Sequence, residues 1–190
     1  KHALVIGAET LSKILDWNDR GTCVLFGDGA GAAYLEESDK GIISVVQGSI
    51  GKKGMVLNCE SRRTHNIFTE AGIEHDYLHM DGQEVYKFAV RQCPKCLLEA
   101  LEKADMTADD IDYFVLHQAN VRIIESVAKR LKAPIEKFPM TLGYTGNMSA
   151  ASVPVMLDSL VRDGGLKRGD KVAMSAFGAG LTYGAIVLEW

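Results

Sequence analysis

Basic charge is scarce in this chain: Lys and Arg number 21 against 25 Asp and Glu, for a net charge of -4. That balance leaves no electrostatic footprint for a nucleic-acid backbone. Cysteine is scarce as well. The four, at 23, 59, 93 and 96, are too few and too irregular for a disulfide framework, and they suit a reducing cytoplasm. A long apolar helix is also lacking. The longest charge-free stretch, VAMSAFGAGLTYGAIVL at 172–188, is divided by its glycines into two strands with a turn between, which excludes a membrane span. Metal-ligand groupings are missing too. CPKC at 93–96 has the spacing of a redox or zinc pair, but it falls inside the amphipathic pattern EVYKFAVRQCPKCLLEALEKA with no second Cys or His pair. Those thiols read as structural, and no metal is expected.

What is present is an ordinary globular composition, 47% hydrophobic and 24% charged, with enough apolar residues for a core and room for one or two domains. The opening KHALVIGAET enters a strand-like run at Ala3 with no Met and no signal peptide, as though the chain starts inside a domain. A repeat points the same way. VLFGDGAGAAYLEES at 24–38 is similar to SAFGAGLTYGAIVLEW at 175–190: an apolar run, Phe-Gly and further glycines, a second apolar run, then a glutamate. Two copies of one strand-turn-strand unit imply a duplicated domain.

The second copy follows a full α/β series, with helices expected at 83–104, 119–131 and 149–162 and strands at 111–116, 171–176 and 182–189. Only one strand precedes the first copy. With halves of similar length, most of the first would lie upstream of Lys1. The expected organisation is therefore residues 1–40 as the last strands of the first half, 41–81 as a connecting segment, and 82–190 as the second half. The connection holds one clear strand, GIISVVQGS, and then polar, histidine-bearing sequence that reads as a link or lid.

His117 closes a strand, and in open α/β sheets ligands bind outside the carboxyl ends of strands. It reads equally as a functional residue or as a half-buried histidine bonded to a carbonyl. Asn147, in LGYTGNMSAASVPVML, precedes a helix and is a good N-cap by itself. The small residues around it, Gly146, Ser149, Ala150 and Ala151, also allow close approach of a ligand. FGDGAGAA and FGAGLTYG each lead into a strand, so neither sets a phosphate on a helix N-terminus; they are tight turns with unobstructed backbone N–H groups, as an oxyanion site needs. In helix 119–131, Ile123, Ile124, Val127, Ala128 and Leu131 form the buried stripe. Arg122, Glu125, Ser126, Lys129 and Arg130 stay outside, with Glu125 and Lys129 at i,i+4 spacing and Arg122, Lys129 and Arg130 as a basic edge near His117.

Together HQANVRII, GNMSAASVP and FGDGAGAA, with MDGQEVYKFAV and DRGT, resemble β-ketoacyl-[acyl carrier protein] synthase III, a condensing enzyme of the duplicated α/β thiolase fold, over essentially the whole chain. The chain would then be the end of the first half plus the complete second half. The resemblance implies a Cys-His-Asn catalytic set and carries the last two members onto His117 and Asn147. The Cys belongs at the N-terminus of a buried helix. Cys23, in the strand TCVLFG, Cys59, in a polar loop, and Cys93 and Cys96, in a helix body, lack that context, so the nucleophile is expected upstream and this chain alone is expected to be inactive.

The resemblance further implies Ala179 at an oxyanion site, Phe177 beside the departing carboxylate, and Arg20, Tyr86, Asn120 and Arg122 around coenzyme A. Arg122, Lys129 and Arg130 would dock the acidic carrier protein. Tyr86 stands where well-known members have Phe, and Met148 where they have Thr. The implied partners are acyl-CoA, as substrate and not as resident cofactor, acyl carrier protein and a second copy of the chain, in the cytoplasm. Nearby alternatives are chalcone-synthase-like and hydroxymethylglutaryl-CoA synthase-like condensing enzymes, a Cys-His-Asn thiol hydrolase, and a non-catalytic partner subunit.

Overall fold

The computed structural model describes residues 1–59, Phe68 and 77–190. Most of the segment read as a link or lid lies outside the described residues. The elements are β1 (His2–Glu9), β2 (Gly29–Glu36), β3 (Ile42–Ser49), β4 (Leu57–Asn58), β5 (His79–Met80), α1 (Gly82–Lys103), β6 (Tyr113–Leu116), α2 (Val121–Leu131), α3 (Leu142–Thr145), α4 (Ser152–Arg162), β7 (Lys171–Gly178) and β8 (Thr182–Glu189).

The main sheet runs β3-β8-β7-β6, with β6 parallel to β7 and the other pairs antiparallel. The strand at 42–49, placed by sequence in the connecting segment, is thus an edge strand of the sheet that β6, β7 and β8 build. Residues 172–188, free of charge, become most of β7, a turn and most of β8, as their glycines imply. Among the described residues no helix is long and apolar enough to cross a membrane.

Alternation of buried side chains in β6 builds two cores. Phe114 and Leu116 point to α1 and α2, where they meet Cys96, Leu97, Leu101, Ile124 and Val127; Val115 points the other way, to Met156, Leu157 and Leu160 of α4. The helix α1 starts at Asp81, whose carboxylate accepts from Gln83 and Glu84 N–H at 3.1 and 3.0 Å, and its 22 residues carry Pro94 within a buried face that continues on both sides. The helix α2 starts two residues later than the apolar spacing predicts, because Asn120 caps it by accepting from Arg122 N–H at 2.9 Å. The expected helix 149–162 begins as a 3-10 turn, Ser149–Ala151, before α4 proper.

A separate two-stranded sheet is β1 paired antiparallel with β2, from His2↔Glu36 to Glu9↔Gly29, and β4 pairs with β5 in another. The β1–β2 sheet packs on α4, so that helix is sandwiched between two sheets. Close approach is possible because Gly7 and Gly31 have no side chain: a Cβ on Gly7 would sit 2.4 Å from the Ala150 carbonyl oxygen, and one on Gly31 2.9 Å from Pro154 Cβ. The apolar residues Leu4, Val5 and Ile6 of β1 are more than half exposed.

One expectation changes here. The sequence reading placed a strand over TCVLFG, residues 22–27, with Cys23 in it, but Cys23 lies in a turn, and of these residues Phe26 alone makes a bridge among the described residues, in parallel with Asn147. The strand that follows, β2, pairs instead with β1, antiparallel, across the long intervening segment 10–28. The reason is local: Gly27 N–H donates to the Asn147 carbonyl and Asn147 N–H to the Leu25 carbonyl, both at 2.9 Å, so the backbone of 25–27 is committed to the 145–147 loop.

Candidate active site

Because β6 and β7 are parallel, their carboxyl ends emerge on the same side, and His117 N–H donates to the Ser175 carbonyl at 2.9 Å where the strands part. A cleft of about 290 Å³ opens there. His117, Asn147, Phe177, Ala179, Tyr86 and Asn120 all line it, so six of the sequence-selected residues come from β6, the α3–α4 loop, the β7–β8 turn, α1 and the cap of α2 to one place. Leu25, Leu57, Leu78, Met80 and Val85 supply an apolar wall.

His117 is buried and hydrogen-bonded through Nδ1 to Ser152 Oγ at 2.6 Å. Its ring meets that of Phe177 edge-to-face, at a centroid distance of 5.1 Å and an interplanar angle of 72°. Burial pushes its pKa down from the ordinary 6.5 to about 4, so the imidazole is neutral near pH 7. The bonded partner is thus a serine hydroxyl and not the carbonyl that a merely structural histidine was expected to find.

Asn147 satisfies both sequence readings at once. Its side-chain Oδ1 accepts from Ser149 N–H at 2.9 Å, capping the turn that leads into α4. With Oδ1 so engaged, the amide Nδ2 is the end left for the cleft. Its backbone is fixed by the two bonds to 25–27. Tyr86, 37% exposed, and Asn120 stand at the rim, though the Asn120 Oδ1 is already committed to capping α2.

Arg20, Arg122, Lys129 and Arg130 are exposed and do not line the cleft. Arg130 borders a separate groove with Arg91 and Lys95 of α1, two basic residues that sequence reasoning did not single out. No hydrogen bond or ion pair joins Glu125 to Lys129 among the described residues, although their spacing allows one. Sequence reasoning also missed Cys59, which lines the cleft from the end of β4, and Ser152, whose only signal was a place among the small residues of SAASVP.

Of the cysteines, Cys93 and Cys96 are buried in α1; burial pushes Cys93 up to about 12 and raises Cys96. Cys96 Sγ also lies 3.2 Å from the Cys93 carbonyl and 3.4 Å from Ser175 Oγ. These are packing thiols. Among the described residues no cysteine stands at a helix N-terminus, and no cluster of His, Cys, Asp and Glu fits a metal ion.

Comparison with known proteins gives one consistent result. The family 3-oxoacyl-[acyl-carrier-protein (ACP)] synthase III matches residues 1–54, and its C-terminal region matches residues 101–190. The β-ketoacyl-[acyl-carrier-protein] synthase III of Clostridium novyi is 50% identical over 192 residues, covering 100% of this chain and 59% of that protein. The crystal structure of 3-oxoacyl-[acyl-carrier-protein] synthase III from Aquifex aeolicus superposes with a TM-score of 0.90 at 40% identity, covering 100% of this chain and 58% of the other. The priming β-ketosynthase of the R1128 polyketide biosynthetic pathway gives a TM-score of 0.90 at 39% identity, over 99% of this chain and 57% of its own. The chain therefore spans less than two thirds of the relatives it matches.

Proposed function

The chain belongs to the 3-oxoacyl-[acyl-carrier-protein] synthase III family, and with its thiolase-like fold as the premise we propose that it is part of an acyltransferase that initiates fatty acid synthesis. The reaction is a decarboxylative Claisen condensation of an acyl-CoA primer, acetyl-CoA in our reading, with malonyl-acyl carrier protein. The observation that carries the proposal is the meeting of His117 and Asn147 on one cleft, each with one side-chain polar atom tied to the protein and the other left for a ligand.

In this reading the nucleophilic Cys lies in sequence upstream of Lys1. Its thiolate attacks the primer thioester, forming an acyl-enzyme and releasing CoA. Malonyl carrier protein then enters. As CO2 leaves, the electron pair of the broken C–C bond moves into the thioester, and the resulting enolate oxygen accepts hydrogen bonds from His117 Nε2–H and Asn147 Nδ2–H. A neutral imidazole suffices as donor, and the amide donates at any pH. Phe177 sets an apolar wall beside the carboxylate, penalising the charge being lost. The enolate carbon attacks the acyl-enzyme, the oxyanion formed is held near the Ala179 turn, and collapse returns the Cys thiolate and releases the 3-oxoacyl carrier thioester.

The remaining roles are proposals of the same kind. Tyr86 and Asn120, on the cleft, with Arg20 and Arg122 outside it, serve the CoA arm and nucleotide. Arg122, Lys129 and Arg130 receive the acidic carrier protein. Residues 1–40 close the first half of the duplicated fold and 82–190, with β3, make the second. Exposure of Leu4, Val5 and Ile6 fits a face on which further first-half structure packs. A cytoplasmic homodimer is the proposed working form.

The test is malonyl decarboxylation by full-length protein. His117→Ala and Asn147→Ala should each lower it by about 10²- to 10³-fold, the cost of one oxyanion donor, while acetyl transfer from acetyl-CoA suffers less. Normal decarboxylation in both variants overturns the proposal. Acetyl label found on Cys59, Cys23, Cys93 or Cys96 overturns the upstream nucleophile.

A further inference from the structure

His117 has two ring nitrogens, and only the one facing the cleft can serve a reacting oxygen. The other, Nδ1, meets Ser152 Oγ at 2.6 Å. Ser152 is fully buried at the first position of α4, and among the described residues its Oγ makes one other hydrogen bond, accepting from Gln118 N–H at 3.3 Å. That donor cannot turn away. The Gln118 side chain, also fully buried, is tied down at both ends: Nε2 donates to the Leu116 and Pro139 carbonyls at 2.9 and 3.4 Å, and Oε1 accepts from Thr141 N–H at 3.0 Å.

The hydroxyl of Ser152 therefore has an incoming N–H on one lone pair and a proton of its own to place. Among the described residues Nδ1 is the acceptor within its reach. If Nδ1 carried the imidazole proton, two donors would face each other, or the buried O–H would turn away with no acceptor, a state that unsatisfied buried donors disfavour by roughly one to two orders of magnitude in population. We infer that Ser152 donates to Nδ1 and so holds His117 as the Nε2–H tautomer, which makes Ser152 a positioning residue for the decarboxylation step.

Neutrality of the ring, which follows from its burial, is what gives the tautomer its weight: one ring nitrogen has a proton and the other has none. The arrangement also joins the two proposed donors. Asn147 and Ser152 bracket one short segment, so the turn that aims the Asn147 amide also delivers the hydroxyl that orients His117. In sequence this requires only a serine five residues after the asparagine.

The catalytic half of this inference rests on the proposed role of His117, whereas the tautomer does not. The experiment is two-bond ¹H–¹⁵N correlation on full-length protein with ¹⁵N-labelled histidine near pH 7, with the His117 signals assigned by their loss in His117→Asn. An unprotonated Nδ1 and a protonated Nε2 are expected; a protonated Nδ1 in the unmutated protein overturns the inference whatever the activity. In Ser152→Ala the Nδ1–H form should appear and decarboxylation kcat should fall roughly 10- to 100-fold, with KM for the malonyl thioester little changed and acetyl transfer from acetyl-CoA retained. Ser152→Thr, which keeps the hydroxyl, should retain the tautomer. Ser152→Ala with unaltered tautomer and rate removes the positioning role. An Nε2–H ring in a full-length protein that does not decarboxylate malonyl thioester overturns the proposed function and leaves the tautomer assignment standing.

Discussion

Phe26 and Asn147 lie side by side in a parallel bridge, Asn147 N–H donating to the carbonyl of Leu25 and Gly27 N–H donating to the carbonyl of Asn147. Residues far apart in the chain thus share one rigid joint at the cleft wall. A Cβ at Gly27 would stand 2.2 Å from the Thr145 carbonyl oxygen, so the approach depends on the bare glycine. Through this joint, the segment before β2 helps hold a proposed catalytic side chain that belongs to the later α/β series.

The double duty of Asn147 predicts that two substitutions will separate. Asn147→Asp keeps an oxygen to cap Ser149 N–H but removes the amide donor, so malonyl decarboxylation should fall about 10²- to 10³-fold with a melting temperature close to the parent's. Asn147→Ala removes both and should lose roughly 1 kcal/mol of stability besides. Equal stability losses in the two, measured by denaturant unfolding, would mean the cap contributes nothing.

His117 predicts a pH dependence of stability. Its folded pKa of about 4 lies below the ordinary 6.5, so between those values the unfolded chain binds more protons than the folded one. Stability contributed this way is present above pH 6.5 and is lost as pH falls through 4, on the order of 3 kcal/mol in all. Glu84 and Glu189, held down to about 2 by Lys53 with Lys87 and by Lys171 with Lys40, add losses of the same sign at lower pH. Urea unfolding at pH 7 and pH 4.5 should show a smaller difference for His117→Asn than for the parent; equal differences refute burial as the cause.

How far the sequence could be read follows from which interactions are local. The helix α2 was legible because Ile123, Ile124, Val127, Ala128 and Leu131 repeat at helical spacing, and His117 because it ends an apolar strand. The β1–β2 pairing was not, since it depends on Gly7 meeting the Ser149–Ala151 turn and Gly31 meeting α4, and the glycine-rich repeat suggested a local hairpin instead. Ser152 was invisible as a partner of His117 because 35 residues separate them and a serine beside small residues has many ordinary uses. Arg20 shows the opposite case: named by resemblance alone, it does not reach the cleft wall.

Burial predicts the order of thiol reactivity. At pH 8, iodoacetamide should label exposed Cys59 first and half-buried Cys23 more slowly, leaving Cys93 and Cys96 unmodified until the protein unfolds. Peptide mass spectrometry over a time course reads this directly. Native labelling of Cys93 as fast as Cys59 would show that α1 does not seal that face.

Two glycines test the layering of α4 between the sheets. Gly31→Val pushes a side chain into Pro154, and Gly7→Ala sets a Cβ against the Ala150 carbonyl, so each should cost about 1–3 kcal/mol by overpacking. Gly143→Ala is the control, because nothing lies within 4 Å of its added Cβ. If all three variants unfold at the same denaturant concentration, the sheet does not press on α4 as described.

Arg122 and Lys129, seven residues apart, share one face of α2, while Arg130 turns toward α1 and the groove with Arg91 and Lys95. All three α2 side chains are exposed, so their value for a stable fold is small and their value for long-range attraction is larger. An acidic carrier protein approaching the cleft would feel this edge before any contact forms. Reversing charge in Lys129→Glu with Arg130→Glu should therefore raise KM for malonyl carrier protein about 10-fold at low salt, a penalty that shrinks as ionic strength screens it. The acetyl-CoA half-reaction should stay nearly unchanged, because neither residue lines the cleft. Adding Arg91→Glu should deepen the effect if the α1 groove belongs to the same surface. Equal KM changes for both substrates, or a carrier-protein KM that ignores salt, would remove the docking role from this edge.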